Sequence, residues 1–252
     1  MSSERTGSGD PSRTLALLWG EPLAPRKGPA RSITVTQVVE AALSIADESG
    51  LGAVTMRAVA ERVGVSTMSV YTYVPGKPEL LDLMVDALYL AMERMPWRDE
   101  PWRDRVVAVA ESNRSLLDAH PWMTEVAALS RPPLGPGVMA KYEHELAAFE
   151  GAGLGDVDVD AALTFLLGFV QSHCRAAHDA ARATTDTAMS DAQWWEANQP
   201  ILARAFDPEA YPRAVRIGAA AGEAHGAAWS AGNSWTFGLE RVLDGLAALI
   251  EG

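Results

Sequence analysis

Cys174 and His178 stand four residues apart, a spacing that places both on one face of a helix. A thiol and an imidazole so placed could share a zinc ion, or act as nucleophile and base. Either chemistry needs more than two groups. No third ligand accompanies them at a readable spacing, and neighbouring His173 falls on another face. The chain also has no glycine-rich phosphate loop and no nucleophile elbow. The pair therefore reads as packed side chains, and the sequence points to no catalytic residue, no metal and no cofactor.

A second group is better matched to a chemistry. Thr67, Ser69, Tyr71, Thr72 and Tyr73 crowd short hydroxyls and phenols into one stretch, with almost no charge. Such donors suit phosphate oxygens and base edges. Lys77 stands at the start of the next helical stretch, where backbone N–H groups and the helix dipole also favour a phosphate. Net charge is −12, which opposes nucleic acid until its distribution is read. Residues 1–77 hold eight Lys/Arg against seven Asp/Glu, and residues 78–252 hold thirteen against twenty-six. Any contact with DNA must lie at the N-terminal end, because the acidic remainder is repelled by phosphate. Arg26, Lys27 and Arg31 form a small basic cluster there, equally readable as a solvated linker.

The elements that must position these residues are helical. Residues 1–30 are rich in Ser, Gly, Pro and Arg without a sustained period, and read as a mobile arm. Thr34 with Gln37 forms a capping box ahead of Val35, Val38, Val39, Ala42, Ile45 and Ala46, and Gly50 closes that helix. Thr55 caps a short helix through Val63, ended by Gly64, and Ser66 caps a shorter one running to about Tyr73. Three helices with the last two joined by Gly64-Val65-Ser66 have the layout of a helix-turn-helix. A connecting helix spans 78–95, with Pro78 near its start. Further helices are expected at 101–118, 121–129, 136–150, 158–181, 190–205, 208–219 and 234–250, with loops at 131–137 and 221–233. The fold class is all-α: a helix-turn-helix domain at 31–77, the connecting helix, and a larger helical domain at 96–252.

Residues 31–90 resemble the DNA-binding domain of the TetR family of regulators. Ile33, Ala41-Ala42, Gly50-Leu51, Thr55-Met56-Arg57, Ala60, Gly64-Val65-Ser66, Tyr71, Tyr73-Val74 and Lys77-Pro78-Glu79-Leu80-Leu81 carry the likeness. The resemblance implies that Arg57, with Thr55 before it, holds a phosphate or a guanine edge. It implies that Thr67, Met68, Ser69 and Thr72 face the major groove, and that Tyr71, Tyr73 and Lys77 contact phosphate. It further implies a homodimer on a near-palindromic operator in double-stranded DNA, a small-molecule effector bound in the C-terminal domain, and repression released by that effector.

Phe237 to Ile250 resembles the last helix of the tetracycline-repressor branch, in which two helices of each subunit form a four-helix dimer interface. On spacing alone, Trp235, Leu239, Val242, Leu246 and Leu249 form a seam, with Val159, Leu163, Leu166 and Val170 as the matching stripe. Such a seam can lie between subunits or within one chain. Phe165, Phe169 and His173, at four-residue steps, are the first candidates for an effector-cavity wall, followed by Trp122 and Met123. One departure is visible. Tetracycline repressors carry a metal-ligating histidine three residues before a Thr-Arg-Pro turn, where this chain reads Ala127 before Ser130-Arg131-Pro132. Magnesium-dependent drug recognition is therefore not expected. Leu15 to Trp19 is too short for a leader, no apolar run reaches the roughly 18–20 residues of a membrane span, and a single cysteine suits a reducing interior, so a cytoplasmic protein is expected.

Overall fold

The computed structural model describes residues 5–20, 33–226 and 229–252. The basic cluster of Arg26, Lys27 and Arg31 lies outside them. Among the described residues there are twelve α-helices and no strand. They are α1 (Pro11–Leu18), α2 (Val35–Ser49), α3 (Met56–Val63), α4 (Thr67–Tyr71), α5 (Lys77–Ala91), α6 (Trp102–Ala119), α7 (Met123–Val126), α8 (Pro136–Ala147), α9 (Asp156–Thr187), α10 (Asp191–Ala205), α11 (Pro212–His225) and α12 (Ala231–Ile250). A 3-10 turn, Leu51–Ala53, follows α2.

Local chemistry sets the first helices. Thr34 accepts from the Gln37 backbone at 3.2 Å while the Gln37 side chain accepts from the Thr34 backbone at 2.9 Å, a complete capping box. Val38, Val39, Ala41, Ala42, Ile45 and Ala46 then bury one stripe of α2 against α3 and α5. Each fully buried Val or Ile is worth about 1.5–3 kcal/mol, so packing rather than propensity holds these short helices.

α5 is buried on nearly every side, although three of its buried residues are carboxylates, Glu79, Asp82 and Asp86. Backbone N–H groups of other segments satisfy them. Asp86 accepts from Gly137 at 3.1 Å and Val138 at 2.9 Å, capping an α8 terminus that has no side-chain cap of its own. The two helices cross so closely that a Cβ on Gly137 would collide with the Asp86 carbonyl oxygen. Asp82 accepts from Gly7 at 2.8 Å and Glu79 from Asp10 at 3.3 Å.

Those last two bonds correct the mobile-arm reading for residues 5–20 only. Residues 5–20 are folded onto α5. Asp10 caps α1 by accepting from the Ser12 and Arg13 backbones, Pro11 takes a first-turn position, and Thr14, Leu17 and Leu18 are buried. Farther along, α7 is a single turn instead of a helix over 121–129, and α9 extends beyond 158–181 to 32 residues. The loop expected at 221–233 is largely helix: α11 continues to His225, where Gly226 ends it at φ +68°, and Ser230 caps α12. The alanines of this stretch outweigh the cost of Gly218 and Gly222.

The seam on α12 closes within the chain. Trp235, Leu239, Val242 and Leu246 are buried, as are Leu163, Leu166 and Val170 on the facing α9. Only Leu249 and Val159 are not: Leu249 is 67% exposed, and Val159 is half-buried.

Candidate nucleic-acid interface and internal cavity

The turn between α3 and α4 is set by Gly64, which adopts the left-handed conformation at φ 78°, ψ 33°. Thr55 caps α3 by accepting from the Ala58 backbone at 3.0 Å, and Ser66 caps α4 by accepting from Ser69 at 3.2 Å. Val70 is fully buried and anchors α4 to the core. The outer face of α4 is left to Met68, 75% exposed, and Tyr71, 44% exposed, with Thr72 beside them and Thr67 and Ser69 half-buried.

Several of these groups are held in place. Ser69 Oγ lies 2.8 Å from Ser66 Oγ, and the Thr72 hydroxyl donates to the Met68 carbonyl at 3.1 Å. Arg57 projects from α3 with its Nε donating to Glu61 at 2.8 Å, an exposed pair that a phosphate could replace at little cost. Lys77 Nζ donates to the Leu51 carbonyl at 3.4 Å, tying the start of α5 to the 3-10 turn. Tyr73 departs from expectation. It is 6% exposed, so its ring belongs to the core and not to the surface that carries Tyr71. Arg62 fixes α3 to α2 through Glu48 and Ser44, and its hydrogen bond holds the Glu48 carboxyl down at about 2.

The C-terminal half contains an open-mouthed cavity of about 270 Å³. α5 contributes Val85 and Tyr89, α8 contributes Val138, Met139, Lys141, Tyr142 and Glu145, and α9 contributes Asp160, Leu163, Thr164 and Leu167. The 127–134 loop and Thr6 complete the lining. Its wall is mainly apolar and includes two polar pairs. Lys141 Nζ pairs with Glu145 at 2.6 Å, the other Glu145 oxygen accepts from Asn113 at 2.5 Å, and the Tyr142 hydroxyl donates to Asp160 at 2.6 Å. Burial drives the Tyr89 phenol well above its ordinary range, so it stays protonated. An apolar body with few polar fixing points is the composition of a small-molecule site.

None of the five cavity residues expected from sequence lines it. Phe165 is 60% exposed, because its face of α9 is turned about 160° from that of Leu163 and Leu167. Phe169 and His173 face α12 and pack on Trp235, with ring centroids 5.4 and 5.1 Å away. Burial, then Arg114, lowers the affinity of His173 for a proton, so it serves as a neutral ring in this cluster. Met123 is fully buried. Trp122 donates to Asp47 at 2.7 Å, and His120 Nδ1 lies 2.8 Å from the same oxygen, so the α6–α7 turn is latched to α2. Burial also pushes the Cys174 thiol up to about 12, which leaves it a thiol and not a nucleophilic thiolate, and His178 faces Asp118 at 3.1 Å. Sequence reasoning missed Lys141 and Glu145. Their i, i+4 spacing in an otherwise weakly charged helix was the available signal.

A capped three-helix reading head joined by one helix to a hollow helical body defines a ligand-binding regulator of the helix-turn-helix class. Comparison with known proteins agrees. Residues 38–84 match the family described as "Bacterial regulatory proteins, tetR family", and residues 95–250 match "Tetracyclin repressor-like, C-terminal domain". The chain belongs to the TetR family of transcriptional regulators, which are not enzymes. It is 38% identical over 250 residues to an "HTH-type transcriptional repressor DrrR1" of Streptomyces coeruleorubidus, covering 99% of this chain and 90% of that protein. A regulator of Saccharopolyspora erythraea is 34% identical over 180 residues, covering 69% and 75%. The fold is also that of ActR from Streptomyces coelicolor, with TM-score 0.70 and 24% identity over 87% of this chain and 97% of that one. ActR has also been solved in complex with actinorhodin, at TM-score 0.69 and 24% identity over 86% of this chain and 97% of ActR.

Proposed function

We propose that this chain is a homodimeric repressor that leaves a two-fold symmetric operator when a small, mainly apolar molecule enters the 270 Å³ cavity. The observation that carries the reading is that α5 has one end in each function. Its first turn is tied to the reading head through Lys77, and its later turns present Val85 and Tyr89 to the cavity. On this reading the chain divides into a head at 31–77, a connecting helix and a body at 96–252.

In this reading Thr67, Met68, Ser69 and Thr72 address base edges, while Thr55, Arg57, Tyr71 and Lys77 hold phosphates. Tyr73 supports Tyr71 from the core. The effector's polar atoms meet the pairs made by Lys141 with Glu145 and Tyr142 with Asp160. Occupancy displaces α5 and the 127–129 wall, and α7 passes the movement through Trp122 and His120 to Asp47 on α2. Half-sites on one face of DNA lie about 34–36 Å apart, so a small change in head separation costs operator affinity. The exposed Phe165, Phe237 and Leu249 of α9 and α12 supply the dimer contact, in place of the seam that closes within the chain. α10 and α11 bury no described side chain and expose Trp194, Trp195, Ile201 and Ile217.

Selection of bound sequences from a random DNA pool, at low salt, tests the reading. The expected product is an enriched palindrome, and Lys77→Ala lowers affinity for every member of the pool alike. A pool without two-fold symmetric enrichment overturns the assignment, as does an unchanged affinity in the Lys77→Ala protein.

A further inference from the structure

We propose that residues 5–20 form a strap that is part of the effector site, with Thr6 as a residue that selects the ligand. The inference rests on reading the cavity as that site. Thr6 is 3% exposed and lines the cavity, although it lies more than a hundred residues from the other lining groups except those of α5. Its backbone N–H donates to the Val126 carbonyl at 3.0 Å, its hydroxyl donates to the same carbonyl at 3.2 Å, and that hydroxyl accepts from the Ala128 backbone at 3.0 Å. One residue thus joins both sides of the bend between α7 and the cavity loop.

The next residue explains how the chain fits there. Gly7 sits at φ +70°, and a Cβ on it would stand 3.0 Å from the Arg131 carbonyl oxygen. Only glycine combines that backbone with so close a pass. Gly7 N–H then donates to the buried Asp82 of α5. At the far end of the strap, Trp19 Nε1 donates to the Leu134 carbonyl at 3.0 Å, and Leu17 and Leu18 are buried between these anchors. The loop that carries Pro132, Pro133 and Leu134 into the cavity wall is therefore held by the strap at 126–128 and at 134, with Gly7 passing close beside Arg131 between them. A ligand that fits the cavity as it stands leaves the clamp intact. A bulkier one must lift the loop, and the strap resists this with every one of these bonds.

The test compares two neutral fluorescent probes, compact N-phenyl-1-naphthylamine and bulkier Nile red, on the full chain and its variants. Wild type is expected to favour the compact probe. Thr6→Val removes the hydroxyl bonds at constant volume and is expected to shrink that preference about threefold to tenfold, the range one or two hydrogen bonds provide. Thr6→Ser restores it, and deletion of residues 1–20 reduces it further by admitting the bulkier probe. A general loss of stability would weaken both probes together and leave their ratio unchanged. Equal ratios in wild type and Thr6→Val overturn the strap alone, and the point variants decide the matter if the deletion fails to fold. A wild-type protein that binds neither probe overturns the cavity reading and the strap with it.

Discussion

The reading head and the hollow body are stabilised in opposite ways. Among the described residues of the head, 33–77, no charged side chain is buried, and its interior is Val38, Ala42, Ile45, Val59, Val70, Tyr73 and their neighbours. In the body and on α5, Asp82, Asp86, Lys141 and Glu145 are all buried, each on a named partner. An apolar core is insensitive to what binds nearby. Buried charges are costly, orientation-dependent and able to exchange partners, which suits a domain that must respond to a guest. The head is built to keep one shape, and the body is built with interactions that can be rearranged.

The comparison breaks most visibly at the Lys141–Glu145 pair of the cavity. Lys141→Met leaves Glu145 buried beside Asn113 alone, and should cost about 3–5 kcal/mol, read as a fall in urea midpoint. Head residues offer no equivalent, since Arg57→Ala removes only an exposed pair and should leave the midpoint unchanged. The α5–α8 crossing follows. Gly137→Ala forces a Cβ into the Asp86 carbonyl, and overpacking of this kind costs about 1–3 kcal/mol, measurable as a lower Tm.

The latch between head and body separates stability from response. Asp47→Ala strips Trp122 of its acceptor, at about 1–3 kcal/mol. Operator affinity should survive at moderate temperature, while release by effector is lost; retained release would show that α5 alone transmits the signal. For DNA binding itself, Arg57→Ala should weaken all sequences and lower the salt slope by about one charge.

The smallest effect concerns Asp82. Burial raises its carboxyl to about 6, with the neighbouring Glu79 charge adding to the rise and the Gly7 N–H opposing it. The folded state therefore favours the protonated acid. Its contribution is fully present below the ordinary carboxyl range near pH 4 and is lost as pH rises through 6. Asp82→Asn keeps the acceptor without the charge. It should equal or exceed wild type in Tm at pH 8, and the difference should vanish by pH 4.

How far the sequence could be read differs along the chain for a physical reason. Thr34, Gly50, Thr55, Gly64 and Ser66 each act on a backbone group within four residues, so the helices of the head were visible without tertiary information. The strap was missed despite Asp10-Pro11 ahead of Leu15, Leu17 and Leu18, a cap and first-turn proline in front of an apolar stripe. The Ser, Gly and Pro around that signal outweighed it, and its partners on α5 are some 70 residues away.

Local chemistry, then, determined by itself the helical class, the turn at Gly64 and the polar outer face of α4, because caps, left-handed glycines and helical periods depend on near neighbours. Only the tertiary structure decided which side chains enclose the cavity. Thr6, Val85, Ala127, Lys141 and Leu163 meet there from five separate segments. On α9 a step of about 100° per residue separates Leu163 in the wall from Phe165 in solvent, and no spacing rule says which face the rest of the chain will cover.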